Sequence, residues 1–421
     1  EGGGPSQGGL FCAVSCAGAV GLLLGYDIGV MSGAILSMRG PLGLNTGQQQ
    51  LIVGSLNFVS GFGGLFSTGL SDAVGRRTAI TVCMALYTAG TCLMIVSSTF
   101  ALVLLGRTVV GIGIGIGMTV CPVFIAELSP NRLRGRLASI WELGLCTGIL
   151  IGYISNVICG GSFPDDTAWR LMLALPLLFS TAVMTLLQYV LESPRWLVST
   201  GRRKEAAAVL GQYTPEGEVE GIMHEIDEVL HQASLFEGVS LCGELWRGGA
   251  GVRSAFVAGV GVAFLQQANG SEAMVYYVPT VVREAGITDR MQEMWAALGV
   301  GFCKAFFVLV GLLLLDRCGR RRLLLVSVAL VTLCIAALAA AIGSSAHVAA
   351  VVACMCLFMA AFSLGEGPCT WVIVSEVFPL RLRSKMTAAA VFMNRVTSGA
   401  VSLTFMSFAE AATVQGAFAF Y

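Results

Sequence analysis

Residues 264–277 read FLQQANGSEAMVYY, and they sit inside a long apolar run from about Val252 to Val282. A run of that length has the signature of a membrane-spanning helix. Its middle nevertheless carries Gln266, Gln267, Asn269, Ser271 and Glu272. Within hydrocarbon each such group costs several kcal/mol unless a partner or water satisfies it. On a regular helix Glu272 points about 140° away from Gln267, so these groups do not share one face. Two readings follow. Either the helix loosens at Asn269-Gly270, or neighbouring helices and a wet cavity surround it on several sides. Broken helices at mid-membrane depth are a common way to build a transport site; hydrogen bonding between helices without a ligand is the plainer alternative.

The bulk of the chain agrees with a membrane setting. Of 421 residues, 56% are hydrophobic and 12% charged, and the mean hydropathy is +0.80. An average soluble domain carries about 25% charged residues. The net charge is zero, which gives no electrostatic reason to expect nucleic acid as a partner. Fourteen cysteines are scattered through apolar runs with no CxxC pair, and there are three histidines. That pattern suits small packing residues rather than disulfides or a metal site. The chain opens EGGGPSQGG without an initiator Met, so upstream sequence is expected.

Apolar runs of spanning length fall at roughly 10–36, 50–70, 78–98, 101–125, 136–158 and 169–191, and again at 252–282, 293–315, 322–343, 347–375 and 384–409. A twelfth begins near Thr413 and is too short to cross a bilayer before Tyr421. The expected organisation is an N-terminal six-helix bundle (1–198), a polar helical linker (199–250) and a C-terminal bundle (251–421) whose last helix is incomplete. RRKEAAAVLGQY and EVEGIMHEIDEVLHQ, within the linker, predict two or three short amphipathic helices. Basic residues concentrate in alternate loops: Arg76, Arg77, Arg132, Arg134 and Arg202 to Lys204 in the first half, Arg317, Arg320 to Arg322 and Arg381 to Lys385 in the second. The positive-inside rule then puts the N-terminus and the linker in the cytoplasm.

The two halves repeat one another. SDAVGRRT (71–78) returns as LDRCGRRR (315–322), and AELSPNRLRGRL (126–137) as SEVFPLRLRSKM (375–386), at nearly the same offset. Such a parallel repeat is the raw material of rocking transporters. The recurring acids and bases, Asp72 with Arg76 and Arg77, Glu127 with Arg134, Asp316 with Arg320, and Glu376 with Arg383, are expected to form ion pairs between the halves that latch an inner gate.

Charged groups inside the apolar runs are the remaining signal. Asp27 and Arg107 lie on helices of opposite direction, at similar depths of roughly 9–14 Å from the outer helix ends. A carboxylate poised between desolvation and a guanidinium can exchange a proton when its partner moves. Asp27 is therefore the expected proton site and Arg107 its tuning partner, with a static ion pair as the alternative. Glu142 is a second intramembrane carboxylate. Gln266, Gln267, Glu272 and Asn394 offer the bidentate groups that bind hydroxyls, and Trp371 an indole face for C–H surface. Lys304 and Arg395 suggest no role from sequence. GIGIGIG (111–117) resembles a phosphate loop, but it lies in a membrane run with no preceding strand, so its glycines are expected to let helices pack closely.

GYDIGVMSGAIL, SDAVGRR, LESPRWL, FLQQANGSEAMVYY, DRCGRRRLL, GEGPCTWVIVSEVFPLRLRS and NRVTSGAVSLTF, taken in order, resemble the sugar porter family of the major facilitator superfamily, closest to the plant-type polyol/monosaccharide proton symporters. The resemblance covers nearly the whole chain. It implies an all-α, twelve-helix membrane fold of two pseudo-symmetric bundles, alternating access, and no catalytic activity. It puts Asp27 and Arg107 at proton coupling, and Gln266, Gln267, Glu272, Tyr276, Trp371, Asn394 and Glu142 around the substrate. Acids at 142 and 272 resemble the polyol branch. Leu191 in place of Pro and Thr68 in place of Gly depart from the family pattern at helix ends. Implied partners are a polyol or sugar, a proton and the lipid bilayer, for a monomer in the plasma membrane that has no metal or organic cofactor. A facilitative uniporter or a non-transporting sugar sensor of the same fold remains an alternative.

Overall fold

The computed structural model describes residues 8–129, 134–212, 214, 216–234, 241–247, 249–344, 347–379 and 382–420. Among these the chain is helical, without strands. Six long helices come first: α1 (Gly8–Arg39), α2 (Thr46–Val74), α3 (Arg76–Ile95), α4 (Phe100–Leu128), α5 (Arg134–Ser162) and α6 (Asp165–Leu187). Four short ones form the linker: α7 (Pro194–Ser199), α8 (Arg203–Leu210), α9 (Glu216–Ser234) and α10 (Leu241–Arg247). The second half contains α11 (Ala250–Ala268), α12 (Ser271–Glu284), α13 (Arg290–Cys318), α14 (Arg320–Gly343), α15 (Val348–Ala361), a π-helical turn (Phe362–Glu366), α16 (Gly367–Val377) and α17 (Arg383–Phe420).

Local sequence sets the ends. Asn45 caps α2 reciprocally with Gln48, Thr99 caps α4, Ser193 caps α7 and Asp289 caps α13, each side chain satisfying an N–H that a helix start leaves orphaned. Nine helices among the described residues are long and apolar enough to cross a membrane. The run 252–282, expected as one span, is two helices of 19 and 14 residues. Gly270 between them sits at φ 75°, a conformation that costs glycine little and most residues much more. α17 runs through both of the last expected spans, turned at Thr413, whose φ is 66°.

In the first half α1 packs on α5 and α6, and α3 and α2 pack on α4. In the second, α11 packs on α16 and α17, while α14 and α13 pack on α15. The halves meet where α2 lies on α17, α5 on α13 and α1 on α12. Close approach relies on glycine. A methyl at Gly115 would sit 2.2 Å from the Ser60 carbonyl oxygen of α2, and one at Gly113 2.8 Å from the Cys83 carbonyl oxygen of α3. GIGIGIG is thus a two-sided packing strip, as its membrane setting suggested. Large apolar side chains such as Phe66, Leu178, Leu313 and Leu333 face outward, the inverse of a water-soluble surface and proper to a lipid boundary.

Candidate functional site

Asp27 of α1 and Arg107 of α4 are 3% and 0% exposed. Arg107 Nη1 donates to Asp27 Oδ2 at 2.5 Å, and its Nε and Nη2 reach the Ile52 and Val53 carbonyls of α2 at 3.0 and 3.5 Å. Three helices are therefore tied at one buried charge pair. Tyr87 and Tyr276 both lie within electrostatic reach of Asp27 and Arg107. Tyr276 belongs to α12, a helix of the second half that packs on α1.

Five polar residues make a continuous line from α11 to α2. Gln266 Nε2 donates to the carbonyls of Glu366 and Gly367 at 3.2 and 3.1 Å. These backbone oxygens are available because the π-helical turn interrupts the regular ladder. Gln266 Oε1 accepts from Asn394 Nδ2 at 2.8 Å, which also donates to the Ala263 carbonyl. Asn394 Oδ1 accepts from Arg395 Nε and Nη2 at 3.0 and 2.6 Å. Arg395 Nη1 donates to Glu272 Oε1 at 2.8 Å. Glu272 Oε2 accepts from Asn57 Nδ2 at 2.8 Å and from Ser398 Oγ. Asn57, on α2, also lies 3.2 Å from the Tyr276 hydroxyl. Glu272 occupies the first turn of α12, where the positive end of the helix dipole favours an anion.

Gln266, Glu272, Tyr276 and Asn394 are thus brought together, as the sequence suggested. Gln267 is buried, and its Oε1 has no hydrogen-bond partner among the described residues; neither has Asn57 Oδ1. Trp371 is half-buried on α16 without a hydrogen bond among the described residues. Glu142 is half-buried on α5, 3.9 Å from Cys146 Sγ, and feels the charges of Lys304, Arg395 and Glu272. Sequence reasoning missed Asn57, Ser398 and the part played by Arg395. A lone amide in the apolar run LIVGSLNFVSG was the available signal for Asn57. Lys304 is buried with its ammonium 5.5 Å from the Phe362 ring centre.

The basic end corrects one expectation. Arg76 grips Glu127 with two bonds of 3.1 and 3.3 Å and reaches Asp72 at 3.0 Å. Arg320 meets Glu376 at 3.3 Å. These pairs lie within a half, not between halves. Among the described residues Arg383 donates to the Phe378 carbonyl at 3.4 Å rather than to an acid, Arg77 donates to the Gln188 carbonyl, and the side chains of Arg134 and Asp316 lie outside the described residues. An unforeseen carboxylate organises this end: Glu192 accepts from the backbone N–H groups of Arg76, Arg77 and Ser193 at 3.0, 3.1 and 2.8 Å, capping α3. Burial pushes the Glu192 carboxyl above the usual range, opposed by those donors.

Hydrogen bonds joining described residues of the two halves all lie between mid-depth and the opposite end. They include Tyr153 to the Val275 carbonyl at 2.7 Å, Ser407 to Gln50 at 2.8 Å, and Arg290 to Ser37 at 2.5 Å. Arg290 also pairs with Asp165 across the halves. Apolar cross-half contact reaches further, with the Phe62 ring of α2 5.2 Å from the Phe392 ring of α17.

The profile of the family described as "Sugar (and other) transporter" matches residues 12–421. The chain belongs to this family. Sugar transporter relatives include Probable polyol transporter 4 of Arabidopsis thaliana, 37% identical over 402 residues that cover 94% of this chain and 76% of that one. Polyol transporter 5 of the same plant is 37% identical over 97% of this chain and 79% of its own. Among solved structures, the xylose transporter XylE from E. coli in a partially occluded inward open conformation superposes with a TM-score of 0.86, covering 98% of this chain and 94% of that chain at 23% identity. The major facilitator proton:xylose symporter XylE bound to 6-bromo-6-deoxy-D-glucose gives 0.84 at 25% identity, covering 98% and 92%. As a sugar transporter the protein is a multi-pass membrane protein of the major facilitator fold and not an enzyme.

Proposed function

We propose that the protein is a proton-coupled symporter of polyols, monosaccharides or both, working by alternating access in the plasma membrane as a monomer with its basic end in the cytoplasm. The observation that carries this is the mid-depth line Gln266–Asn394–Arg395–Glu272–Asn57, which crosses from one half to the other. Two buried acceptors without partners among the described residues, Gln267 Oε1 on the residue after Gln266 and Asn57 Oδ1 within the line, suit the hydroxyl donors of a polyol, because an orphaned acceptor costs about 1–3 kcal/mol that a ligand donor recovers. Gln266, Gln267, Glu272, Tyr276 and Asn394 are the proposed substrate contacts, with Trp371 and Glu142 at the margin. The names of the polyol transporter relatives support this substrate class.

Asp27 is the proposed carrier of the coupling proton, so no metal or organic cofactor is called for. Arg107, whose Nη1 donates to Asp27 Oδ2 at 2.5 Å, is the partner that the proton replaces when the two side chains part. Alternation follows from where the cross-half contacts lie. With the Arg290–Asp165 side closed, the site faces the basic end, and rocking exchanges those contacts for new ones below it. Uptake of labelled sorbitol, mannitol, inositol, xylose and glucose into proteoliposomes, with and without an inward proton gradient, tests the reading. Accumulation above equilibrium only with the gradient is expected; equal uptake in both conditions would leave a uniporter.

A further inference from the structure

We propose that Glu366 is a second proton-binding carboxyl, placed in the C-terminal half at the turn between α15 and α16. This rests on the symport reading for its consequence, though not for its chemistry. The sequence here is SLGEGPC. Pro368 has no N–H to give the preceding turn, and the chain passes through the π-helical turn Phe362–Glu366 before α16 resumes. Such turns are common at functional sites.

Glu366 is 5% exposed. Its backbone is fully engaged: the N–H donates to Ser327 Oγ at 2.8 Å, and the carbonyl accepts from Gln266 Nε2 and from Thr370 Oγ1 at 2.7 Å. Its side chain is not. Among the described residues Oε2 has no hydrogen-bond partner and no cation forms an ion pair with the carboxyl. The elements packed against this turn are α13, α14, α15 and α16, with α11 reaching it through Gln266 and carrying a charge at Arg253, near its start. α15 has no charged residue. On α13 the intramembrane cation is Lys304, held over the Phe362 ring; Arg290 and Glu293 lie at its start, Asp316 and Arg317 at its end. α14 carries Arg320, Arg321 and Arg322 in its first turn, with Arg320 engaged by Glu376 of α16. The Asn269 amide is the polar neighbour of the carboxyl, and its Nδ2 has no hydrogen-bond partner among the described residues.

An ionised carboxylate buried with no cation is so unfavourable that the group neutralises instead. Glu366 therefore holds its proton in this conformation. Release needs water to reach the turn: the O–H bond breaks, the proton passes to water, and the charge stays on the carboxylate. The position makes that step matter. Asn269 sits at the α11–α12 break, and the Glu366 carbonyl holds Gln266, the first member of the polar line. A change of charge at this carboxyl acts on both.

The test uses the full chain. Carboxyl stretching in infrared spectra of the purified protein at neutral pH should show a buried protonated acid that Glu366→Gln removes and Glu366→Asp shifts. In proteoliposomes the proton-to-substrate ratio should fall from two to one in Glu366→Gln, lowering the accumulation limit about tenfold per pH unit, with Glu366→Asp restoring it. A band unchanged by both substitutions overturns the proposal, as does a ratio unchanged in Glu366→Gln. Should the Gln variant not fold, the Asp variant's band decides. A wild type that retains the band but moves no protons would sink the symport reading and leave Glu366 as a proton-binding group.

Discussion

Replacing Asp27 with Asn removes one negative charge and keeps the side-chain shape. Arg107 then loses its 2.5 Å carboxylate partner and retains the Ile52 and Val53 carbonyls. Stranding one member of a buried pair typically costs about 3–5 kcal/mol. Two remaining carbonyl acceptors and the new amide oxygen recover part of that, so a loss of about 2–3 kcal/mol in stability is expected. The transport effect is larger in kind. A proton moving down one pH unit supplies about 1.4 kcal/mol, a tenfold accumulation. Asp27→Asn should lower the accumulation limit of labelled polyol in proteoliposomes at least tenfold under that gradient. Counterflow exchange, which needs the substrate site and rocking but no net proton movement, should persist. Accumulation equal to wild type would refute the assignment of Asp27, whatever the change in stability.

Arg290→Ala removes the cross-half contacts to Asp165 and Ser37. The pair is partly exposed and worth up to about 1 kcal/mol, so the conformer open at that end should gain about fivefold, read from distances between spin labels at Leu42 and Thr288. Glu192 holds its proton more tightly folded than unfolded, because burial raises its acid range. Its contribution therefore favours folding as pH falls through that raised value and is lost as pH rises above it; Glu192→Gln should flatten this part of the dependence of Tm on pH. Gly115→Ala would drive a methyl to 2.2 Å from the Ser60 carbonyl oxygen, parting α4 from α2 at a cost of about 1–3 kcal/mol. Gly69→Ala, with open space around the added methyl, is the control and should shift Tm far less.

Features whose cause is local were legible in the sequence. Asn269-Gly270 in the middle of an apolar run left two readings open, a loosened helix or surrounding polar partners, and the structure breaks there. Asp27 and Arg107 were pairable because opposite charges at one depth in lipid have few other partners. GIGIGIG was readable as packing because its setting left no room for a phosphate. What escaped notice depends on tertiary register. The Arg395–Glu272 bond needs the rotation of α17 against α12, which no pattern in either helix states. Backbone acceptors such as the Glu366, Gly367 and Ala263 carbonyls are invisible because any residue could supply them; only the helix interruption frees the first two. Charge signs at the basic end gave the participants but not their partners, so Arg76, Asp72 and Glu127 were expected across the halves and are found within one. Glu192 was quoted within LESPRWL without its cap, since the N–H groups it binds lie far away in the chain.

The most direct measurement is a structure of the full-length protein with a polyol bound. The expected result is a polyol at mid-depth touching Gln267 and Glu272 or Asn394 on one side and Asn57 or Glu142 on the other, so that both halves contribute to one site. A polyol bound within a single half, or one that leaves the Gln266–Asn394–Arg395–Glu272–Asn57 line untouched, would contradict the claim that the two halves share the substrate.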